Sequence, residues 1–269
     1  MAYPNLPGAE ERSAPVLAWR DGGVAHLRFN RPQSLNAIDV AMADAFCQAC
    51  GAIAADRQVR VVVVSGEGRA FLAGGDVAAM RESPVAISKK LIAGMHGGLE
   101  ILGNLDAPLV ASLHGAVAGA GIGVAVICDL AIAAEGTRFS IAYPLIGASA
   151  DCATSWGLPR VVGLRNALRI ALLAESFDAA QALRYGLVNE VVPAAELQPR
   201  THAWAQQLAQ GAPLALARLK HLLRRSGERS LKEQLDAEAE AFALCAASAD
   251  FAEGTAAFLE KRKPTFVGR

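Results

Sequence analysis

The chain has 269 residues, 53% of them hydrophobic, and a formal net charge of zero at pH 7. This length and composition suffice for one large domain, with or without an appendage, and for a substantial core. Because the chain has no excess of positive charge, we expect no nucleic-acid partner. Because it has no acidic excess, we expect no disordered solvating tail.

The amino terminus does not have the pattern of a signal peptide. Residues 1–15, MAYPNLPGAEERSAP, contain no apolar core and carry two glutamates. No apolar run along the chain reaches the roughly 18 residues that a membrane span requires. We therefore expect a cytoplasmic protein that does not contact a membrane.

The first half of the sequence predicts alternating strands and helices. In chain order these are strands at 16–20 and 24–29, a helix at 39–55 opened by Asp39, a strand at 59–66, a helix at 85–104, and strands at 108–115 and 129–135. The strands at 59–66 and 108–115 are continuous apolar runs, which are typical of buried strands. Each leads through a glycine-containing loop into a helix; the first loop is GRAFLAGGD at 68–76 and the second is GAVAGAG at 115–121. This repetition suggests a layered α/β core built from similar units.

The last third of the sequence predicts helices almost exclusively. After about residue 150 the strand pattern recurs only in LVNEVV at 187–192, and the predicted helices are 152–174, 178–184, 194–210, 213–225, 230–247 and 250–262. The last two are alanine-rich and carry Phe242, Phe251 and Phe258. Such tails often pack on another subunit. We therefore predict a core over residues 1–199 and a helical oligomerisation region over residues 200–269.

The cysteines do not predict a metal or redox site. Cys47 and Cys50 are spaced C-x-x-C, but they lie inside the predicted helix 39–55. Redox motifs of this spacing begin a helix. The chain has neither a second pair nor an H-x-x-x-H motif to complete a zinc site. We expect both cysteines to pack in the core and expect no metal.

The stretch VASLHGAVAGAGIGVAVICDLAIAAE imitates a dinucleotide-binding site. Gly115, Gly119 and Gly121 follow a buried strand at a helix start, and the next strand ends in Glu135. In short-chain dehydrogenases, however, this motif opens the domain, whereas here more than a hundred residues precede it. The Tyr-x-x-x-Lys pair of those enzymes is also absent from the chain. We therefore expect no nicotinamide cofactor.

The two glycine loops suit a different task. Each presents backbone N–H groups at a helix start, where the helix dipole favours negative charge. Glycine also lets a ligand approach the backbone closely. Two such N–H groups directed at one carbonyl oxygen form an oxyanion hole, which stabilises an enolate or a tetrahedral adduct of a thioester.

Five blocks of the sequence resemble, in order, those of the crotonase (enoyl-CoA hydratase/isomerase) superfamily. They are RPQSLNAI at 31–38, GRAFLAGGD at 68–76, HGAVAGAGIG at 114–123, FSIAYPLIG at 139–147 and LPRVVG at 158–163. The resemblance extends from about residue 15 to KRKPTF at 261–266. It implies an α/β fold with a ββα spiral core and a helical trimerisation region. It also implies acyl-CoA thioester substrates, with coenzyme A as part of the substrate rather than a cofactor, and a homotrimer or dimer of trimers.

The resemblance also assigns roles to individual positions. The oxyanion donors would be the N–H groups of Gly75 and Ala120. The positions expected along the coenzyme A are Asn36, Ala37, Ala73, Gly74, Gly75, Lys261 and Lys263, the two lysines for its phosphates. We expect Asp76 to be a helix N-cap rather than a catalytic acid.

The two glutamates that the hydratases use around their attacking water are missing. Their positions in this chain hold Gly123 and Tyr143. Adding water to a double bond then has no obvious acid/base pair. The acid that remains for this work is Asp151, in GASADCATSW. It is expected to be poorly solvated among Ile146, Ala150, Ala153 and Trp156, or, alternatively, simply to cap the helix that follows it.

Two branches of the superfamily place a carboxylate at the position of Asp151. In enoyl-CoA isomerases it moves a proton between the alpha and gamma carbons. In 4-chlorobenzoyl-CoA dehalogenase it attacks the ring, and the matching positions would make His96 the base and Tyr143 a support for the nucleophile. The aromatic residues that enclose the ring there are replaced here by Gly75, about Ser88, and Met95. We therefore favour an isomerase with Asp151 as general base, and keep as alternatives the dehalogenase, a hydratase-like enzyme and a non-catalytic CoA-binding protein.

Overall fold

A computed structural model describes residue 3, residues 13–81 and residues 83–269 of the chain. Most of the amino-terminal segment in which we expect no signal peptide lies outside the described residues. The strands are β1 Val16–Asp21, β2 Val24–Phe29, β3 Val61–Gly66, β4 Leu109–Leu113, β5 Ala116–Ala118, β6 Leu130–Ala134, β7 Arg138–Ser140, β8 Phe177–Asp178 and β9 Glu190–Val192. The helices are α1 Val40–Ala55, α2 Val77–Met80, α3 Pro84–Asn104, α4 Ala120–Ile127, α5 Thr154–Val162, α6 Leu164–Leu172, α7 Ala179–Tyr185, α8 Leu197–Ala209, α9 Pro213–Arg224, α10 Leu231–Ala246 and α11 Ala249–Glu260.

The main sheet has the order β1-β2-β3-β4-β6-β9. β1 and β2 form an antiparallel hairpin, and every later pairing in this sheet is parallel. The apolar runs in β3 and β4 are fully buried, as their sequences predict, because parallel strands are covered on both faces. The six strands predicted from the apolar patterns are all present, and LVNEVV is shortened to β9.

A second, smaller sheet pairs β5, β7 and β8, and the sequence did not predict it. These strands have three, three and two residues. A run this short carries no recognisable period, so only pairing with its neighbours makes it a strand. One of them, β8, lies in the region where we predicted almost exclusively helices. The sheet matters for function because β5 leads directly into the second glycine loop.

The predicted helices are present, with one division. The helix predicted at 152–174 is two helices, α5 and α6, separated by Gly163 at φ +78°. Only glycine adopts this backbone conformation easily, so the helical pattern is interrupted there. At the other helix start, Asp39 accepts a 2.8 Å hydrogen bond from the N–H of Met42 and caps α1, as expected.

The boundary predicted at residue 199 falls inside a helix that belongs to the core. α8 packs on the main sheet, where Ala205 is buried with Val61 and Val63. α9 is also tied to the core, because Lys220 lies 3.0 Å and Arg224 lies 2.7 Å from the carboxylate of Asp129. Helices α10 and α11, by contrast, have few buried residues, which are Ala241, Asp250 and Ala257.

Helices α10 and α11 expose large apolar side chains. Phe258 is 83% exposed, Leu259 79% and Leu231 76%. Among the described residues, no single helix is long and apolar enough to cross a membrane; α10 and α11 reach that length and composition only as a pair, bent by 80°. The same part of the chain contains no cluster of three or more His, Cys, Asp or Glu side chains arranged to hold a metal. Cys50 is fully buried and Cys47 partly so.

Candidate active site

The two glycine loops meet beside the carboxyl ends of β3 and β4. Leu72 in the first loop pairs with the β5 strand that opens the second, donating to Ala116 O at 3.2 Å and accepting from the Ala118 N–H at 2.9 Å. In an open parallel sheet, this edge is where ligands bind. The pairing brings together the two loops that the sequence treats as separate units.

The first loop leaves the N–H of Gly75 without an internal partner. Ile38 donates to Gly74 O and accepts from the Asp76 N–H, each at 2.8 Å, so that Gly75 itself faces away from Ile38. Within the described residues, the Gly75 N–H donates to no acceptor. Gly74 has φ +96°, and a Cβ on it would lie 3.3 Å from Ala118 O, so this position requires glycine.

The second loop likewise leaves the N–H of Ala120 without an acceptor among the described residues. Ala120 is the first residue of α4 and follows Gly119, whose φ is +51°. Gly119 donates to Ser140 O at 3.0 Å, whereas no acceptor for the Ala120 N–H occurs in the part of the chain that the structure describes. A Cβ built on Gly119 would lie 3.7 Å from the Cα of Gly74, so the two glycines are in contact. Each free N–H lies one residue beyond this contact.

Asp151 is connected to this pair of loops through Tyr143. The Tyr143 hydroxyl donates a hydrogen bond to Oδ1 of Asp151. The same hydroxyl would lie 3.7 Å from a Cβ built on Gly119. Burial raises the pKa of Tyr143 far above its usual range, and the Asp151 carboxylate raises it further, so the phenol keeps its proton and remains the donor.

The interpretation of Asp151 as a helix cap is wrong. α5 begins at Thr154, and its N-cap is Ala153, which provides no capping side chain. Asp151 contributes only its backbone carbonyl, which accepts the Thr154 N–H at 2.9 Å. Its carboxylate is therefore available for a task other than stabilising its own helix.

The apolar enclosure expected around Asp151 is only partly present. Asp151 is half-buried, and the neighbouring side chains of Ile146 and Trp156 are 56% and 42% exposed. Leu145, in the same segment, is 74% exposed. In the single chain, one side of the carboxylate's surroundings is therefore open.

The first hydratase glutamate position has no room for any side chain. A Cβ on Gly123 would overlap the carbonyl oxygen of Cys152. It would also lie 2.9 Å from the Cys152 carbonyl carbon and 2.9 Å from the hydroxyl oxygen of Thr154. Burial, and to a smaller extent Asp151, raises the pKa of the Cys152 thiol, so this cysteine stays protonated. The backbone of residues 152–154 fills the space that a glutamate at 123 would need.

His96 lies beside the same turn. It is on α3 and exposed, and its Nε2 accepts the backbone N–H of Cys152 at 3.1 Å. The sequence did not indicate this contact or the unusual turn it joins, where Cys152 and Ala153 have φ of +48° and +60°. Neither residue is glycine, so nothing in the run DCATS signals a left-handed backbone.

The first two residues expected along the coenzyme A are Asn36 and Ala37. The Asn36 side chain is fully buried; it accepts the Arg31 N–H at 2.7 Å and donates to Ala70 O at 2.8 Å and Phe71 O at 3.1 Å. Ala37 is partly exposed, and its carbonyl accepts from the Arg31 guanidinium. Asn36 therefore holds the first glycine loop in place, and as a fully buried residue it offers no exposed surface to a ligand.

The positions Ala73 and Gly74 lie within the first loop itself, where the Ala73 N–H donates to Leu35 O at 3.1 Å. Asp76, which follows them, is an N-cap as expected: it accepts the Ala79 N–H at 3.2 Å. Its second oxygen lies 3.4 Å from the guanidinium of Arg31. Its carboxylate is therefore occupied by structural contacts.

The structure does not bring Lys261 and Lys263 to the glycine loops of their own chain. Lys263 donates to Gln210 at 2.9 Å, and the adjacent carbonyl of Phe266 accepts from Arg60 at 3.2 Å. Arg60 immediately precedes β3, whereas Gly75 follows its carboxyl end. The length of that strand, about 20 Å at roughly 3.3 Å per residue, separates the two places.

Two contacting glycine loops with free N–H groups, on a spiral α/β core followed by helices, define a protein of the crotonase fold. The chain belongs to the enoyl-CoA hydratase/isomerase family, whose model matches residues 20–269. It is 35% identical over 247 residues to a probable enoyl-CoA hydratase of Rhodobacter capsulatus, covering 92% of this chain and 95% of that one. It is 31% identical over 264 residues to the 1,2-epoxyphenylacetyl-CoA isomerase of Escherichia coli, covering 94% and 98%.

The fold also matches solved structures of this family. A crystal structure assigned to the enoyl-CoA hydratase/isomerase group, from Mycobacterium abscessus, superposes with a TM-score of 0.91 at 36% identity, covering 94% of this chain and 100% of that one. Relatives named as hydratases and as isomerases both match over nearly the whole chain. The protein is therefore an acyl-CoA enzyme of this family, and its own residues must distinguish between the reactions.

Proposed function

We propose that the protein is an enoyl-CoA isomerase in which Asp151 is the general base and the N–H groups of Gly75 and Ala120 form the oxyanion hole. The observation that carries this proposal is the state of the Asp151 carboxylate. It does not cap its helix, and it accepts a hydrogen bond from Tyr143, whose hydroxyl lies against Gly119. Proton transfer next to a thioester carbonyl requires a base near the donors that hold the carbonyl oxygen, and these contacts join Asp151 to the loop that carries the Ala120 N–H.

The proposed reaction needs one base and no water. Asp151 removes a proton from the carbon next to the thioester carbonyl, and the resulting enolate oxygen is held by the N–H groups of Gly75 and Ala120. The negative charge is shared with the gamma carbon through the double bond. The protonated Asp151 then returns its proton to that carbon, which completes the shift of the double bond. Tyr143 orients the carboxylate and does not itself lose a proton.

The same residues disfavour a hydratase. Adding water requires a group to activate the water and a group to protonate the alpha carbon. Neither Gly123 nor Tyr143 provides a carboxylate, and the space beside Gly123 is occupied by the Cys152 carbonyl. Asp151 alone would have to perform both steps.

The test offers the wild-type protein a 3-enoyl-CoA, a 2-enoyl-CoA with water, and 4-chlorobenzoyl-CoA. We expect migration of the double bond in the first, and its loss in Asp151→Ala. Asp178→Asn is the matched control, because Asp178 caps α7 away from the loops and asparagine also caps helices. Hydration of the 2-enoyl-CoA without isomerisation, or release of chloride that depends on Asp151 and His96, would contradict the proposal. Binding of all three thioesters without turnover would indicate a non-catalytic protein.

We also propose a homotrimer or a dimer of trimers. The exposed phenylalanine and leucine side chains on α10 and α11 form an apolar surface that a second copy would cover. In such an assembly, Lys261 and Lys263 would serve the phosphates of coenzyme A bound to a neighbouring subunit, since they lie far from the loops of their own. The molar mass by light scattering checks this proposal, and a monomer at micromolar concentration would contradict it. The five free cysteines favour a reducing, cytoplasmic location.

A further inference from the structure

The turn that follows Asp151 has an unfavourable backbone conformation. Cys152 and Ala153 are consecutive, neither is glycine, and both have positive φ, at +48° and +60°. Such residues persist only where the surrounding structure determines them, and they are concentrated at functional sites. The direction in which Asp151 leaves the backbone therefore depends on whatever holds this turn.

Three contacts hold the turn. The Asp151 carbonyl accepts from the Thr154 N–H at 2.9 Å, which is a contact within the turn itself. The Cys152 carbonyl packs directly on Gly123 of α4. The N–H of Cys152 donates to Nε2 of His96 on α3 at 3.1 Å. The peptide group joining Asp151 to Cys152 therefore meets α3, and the next peptide group meets α4.

The contact with His96 determines the state of its ring. A backbone N–H can only donate, so Nε2 must be the unprotonated acceptor, and a neutral ring carries its proton on Nδ1. If Nε2 accepted a proton, it would lose this hydrogen bond. His96 therefore holds the turn with the same lone pair that a general base would use.

We propose that His96 is a positioning residue, which accepts the N–H of Cys152 and thereby holds the strained turn that directs Asp151 toward the glycine loops. This inference rests on the proposed role of Asp151, and it gives His96 no part in proton transfer. The dehalogenase alternative assigns His96 the opposite role, that of the base that activates water. An acceptor at position 96 that cannot take up a proton would preserve turnover if His96 only positions the turn, and would abolish it if His96 is the base.

The experiment compares His96→Gln with His96→Ala. Glutamine can place an amide oxygen near the position of Nε2 and accept the Cys152 N–H, but it cannot act as a base at neutral pH. We expect kcat for 3-enoyl-CoA to fall about tenfold in His96→Ala, the order expected for one lost hydrogen bond, with KM within about twofold. In His96→Gln we expect kcat to remain within about threefold of wild type. His202→Ala, at an exposed histidine on α8, is the matched control.

Amide hydrogen exchange provides a second measurement that does not depend on turnover. We expect the Cys152 amide to exchange faster in His96→Ala and at the wild-type rate in His96→Gln. If kcat falls as far in His96→Gln as in His96→Ala while the Cys152 amide exchanges at the wild-type rate in both variants, His96 takes part in proton transfer and the inference is wrong. If the wild-type protein turns over no enoyl-CoA, the proposed isomerase fails, and unchanged exchange in His96→Ala would separately overturn the positioning role. Should His96→Ala fail to fold, the Gln variant decides by both measurements.

Discussion

Two loops of this chain each place an aspartate shortly before a helix. Asp76 directly follows the first glycine loop and Asp151 is joined to Gly119 of the second through Tyr143, but the structure uses the two carboxylates differently. Asp76 accepts the Ala79 N–H, caps α2 and lies 3.4 Å from the guanidinium of Arg31. Asp151 makes no contact with the N–H groups of α5 through its side chain, and it accepts from the phenol of Tyr143 instead. One carboxylate faces a permanent positive charge, and the other faces a neutral donor.

The difference arises in the backbone that follows each aspartate. After Asp76 the helix begins at the next residue, so the side chain is in reach of the N–H groups of the first turn. After Asp151 two residues adopt left-handed conformations before Thr154 begins the helix. They carry the chain away from the capping position. A residue type that favours caps therefore predicts a cap only when the helix starts immediately after it.

The largest expected effect is on turnover at Asp151. Asp151→Asn keeps the size of the side chain and its ability to accept from Tyr143, but it removes the base. We expect kcat for 3-enoyl-CoA to fall about 10²- to 10⁴-fold, the range for loss of a general base. Asp76→Asn should keep kcat within about threefold, because asparagine also caps helices. Steady-state kinetics of both variants check this contrast. Equal falls in kcat would show that the two carboxylates do not differ in their role in turnover.

The next effect is on stability at Gly123, which supports the Asp151 turn. Gly123→Ala introduces a Cβ that overlaps the backbone of Cys152, and a backbone contact cannot be relieved by a change of rotamer. We expect the free energy of unfolding to fall by about 3 kcal/mol, measured by urea denaturation. Gly51→Ala is the matched control, because a Cβ there meets nothing within 4 Å and alanine favours the α1 helix by about 1 kcal/mol. A Gly123→Ala protein as stable as Gly51→Ala would contradict the close contact.

A smaller effect is expected at the donor to Asp151. Tyr143→Phe keeps the ring against Gly119 and removes the hydroxyl. A hydrogen bond to a charged group contributes roughly 1.5–3 kcal/mol, so we expect kcat to fall about 10- to 100-fold while the thioester still binds. A change in KM alone would indicate that Tyr143 contacts the substrate and does not orient Asp151.

The smallest effect is expected where a cap is lost. Asp76→Ala should lower the free energy of unfolding by about 1 kcal/mol, as for other N-caps, whereas Asp151→Asn, which still accepts from Tyr143, should leave it nearly unchanged. Thermal denaturation of the two variants side by side measures the difference. Equal losses of stability would mean that Asp151 has a structural role comparable to that of Asp76.

The sequence predicted the parts of this fold that have a strong period. The buried runs in β3 and β4, the cap at Asp39 and the helices to Glu260 could be placed from their patterns, apart from the division at Gly163. Burial of a strand on both faces, or of a helix on one face, gives a regular pattern of apolar residues. The two glycine loops could be recognised as similar units because each follows one of these buried runs and precedes a helix. Asp151 could be singled out only after the positions of Gly123 and Tyr143 were compared with those of the hydratases.

The remainder depends on contacts between distant segments. β5, β7 and β8 are strands only because they pair with one another. The conformation of Cys152 is set by His96, 56 residues earlier in the chain, and by Gly123. The apolar cover expected over Asp151 is also incomplete in one chain, as the exposure of Ile146 and Trp156 shows. No local pattern in residues 147–156 carries this information.

The contact between Gly123 and the Cys152 carbonyl also limits the mutational routes open to this protein. A single codon change that placed glutamate at position 123 would bring its Cβ against the backbone of the turn before the new carboxylate could reach a water molecule. The turn would first have to be rebuilt, and rebuilding it would move Asp151. The role proposed for Asp151 would therefore be lost before a glutamate at position 123 could act, so selection at either step would oppose the change.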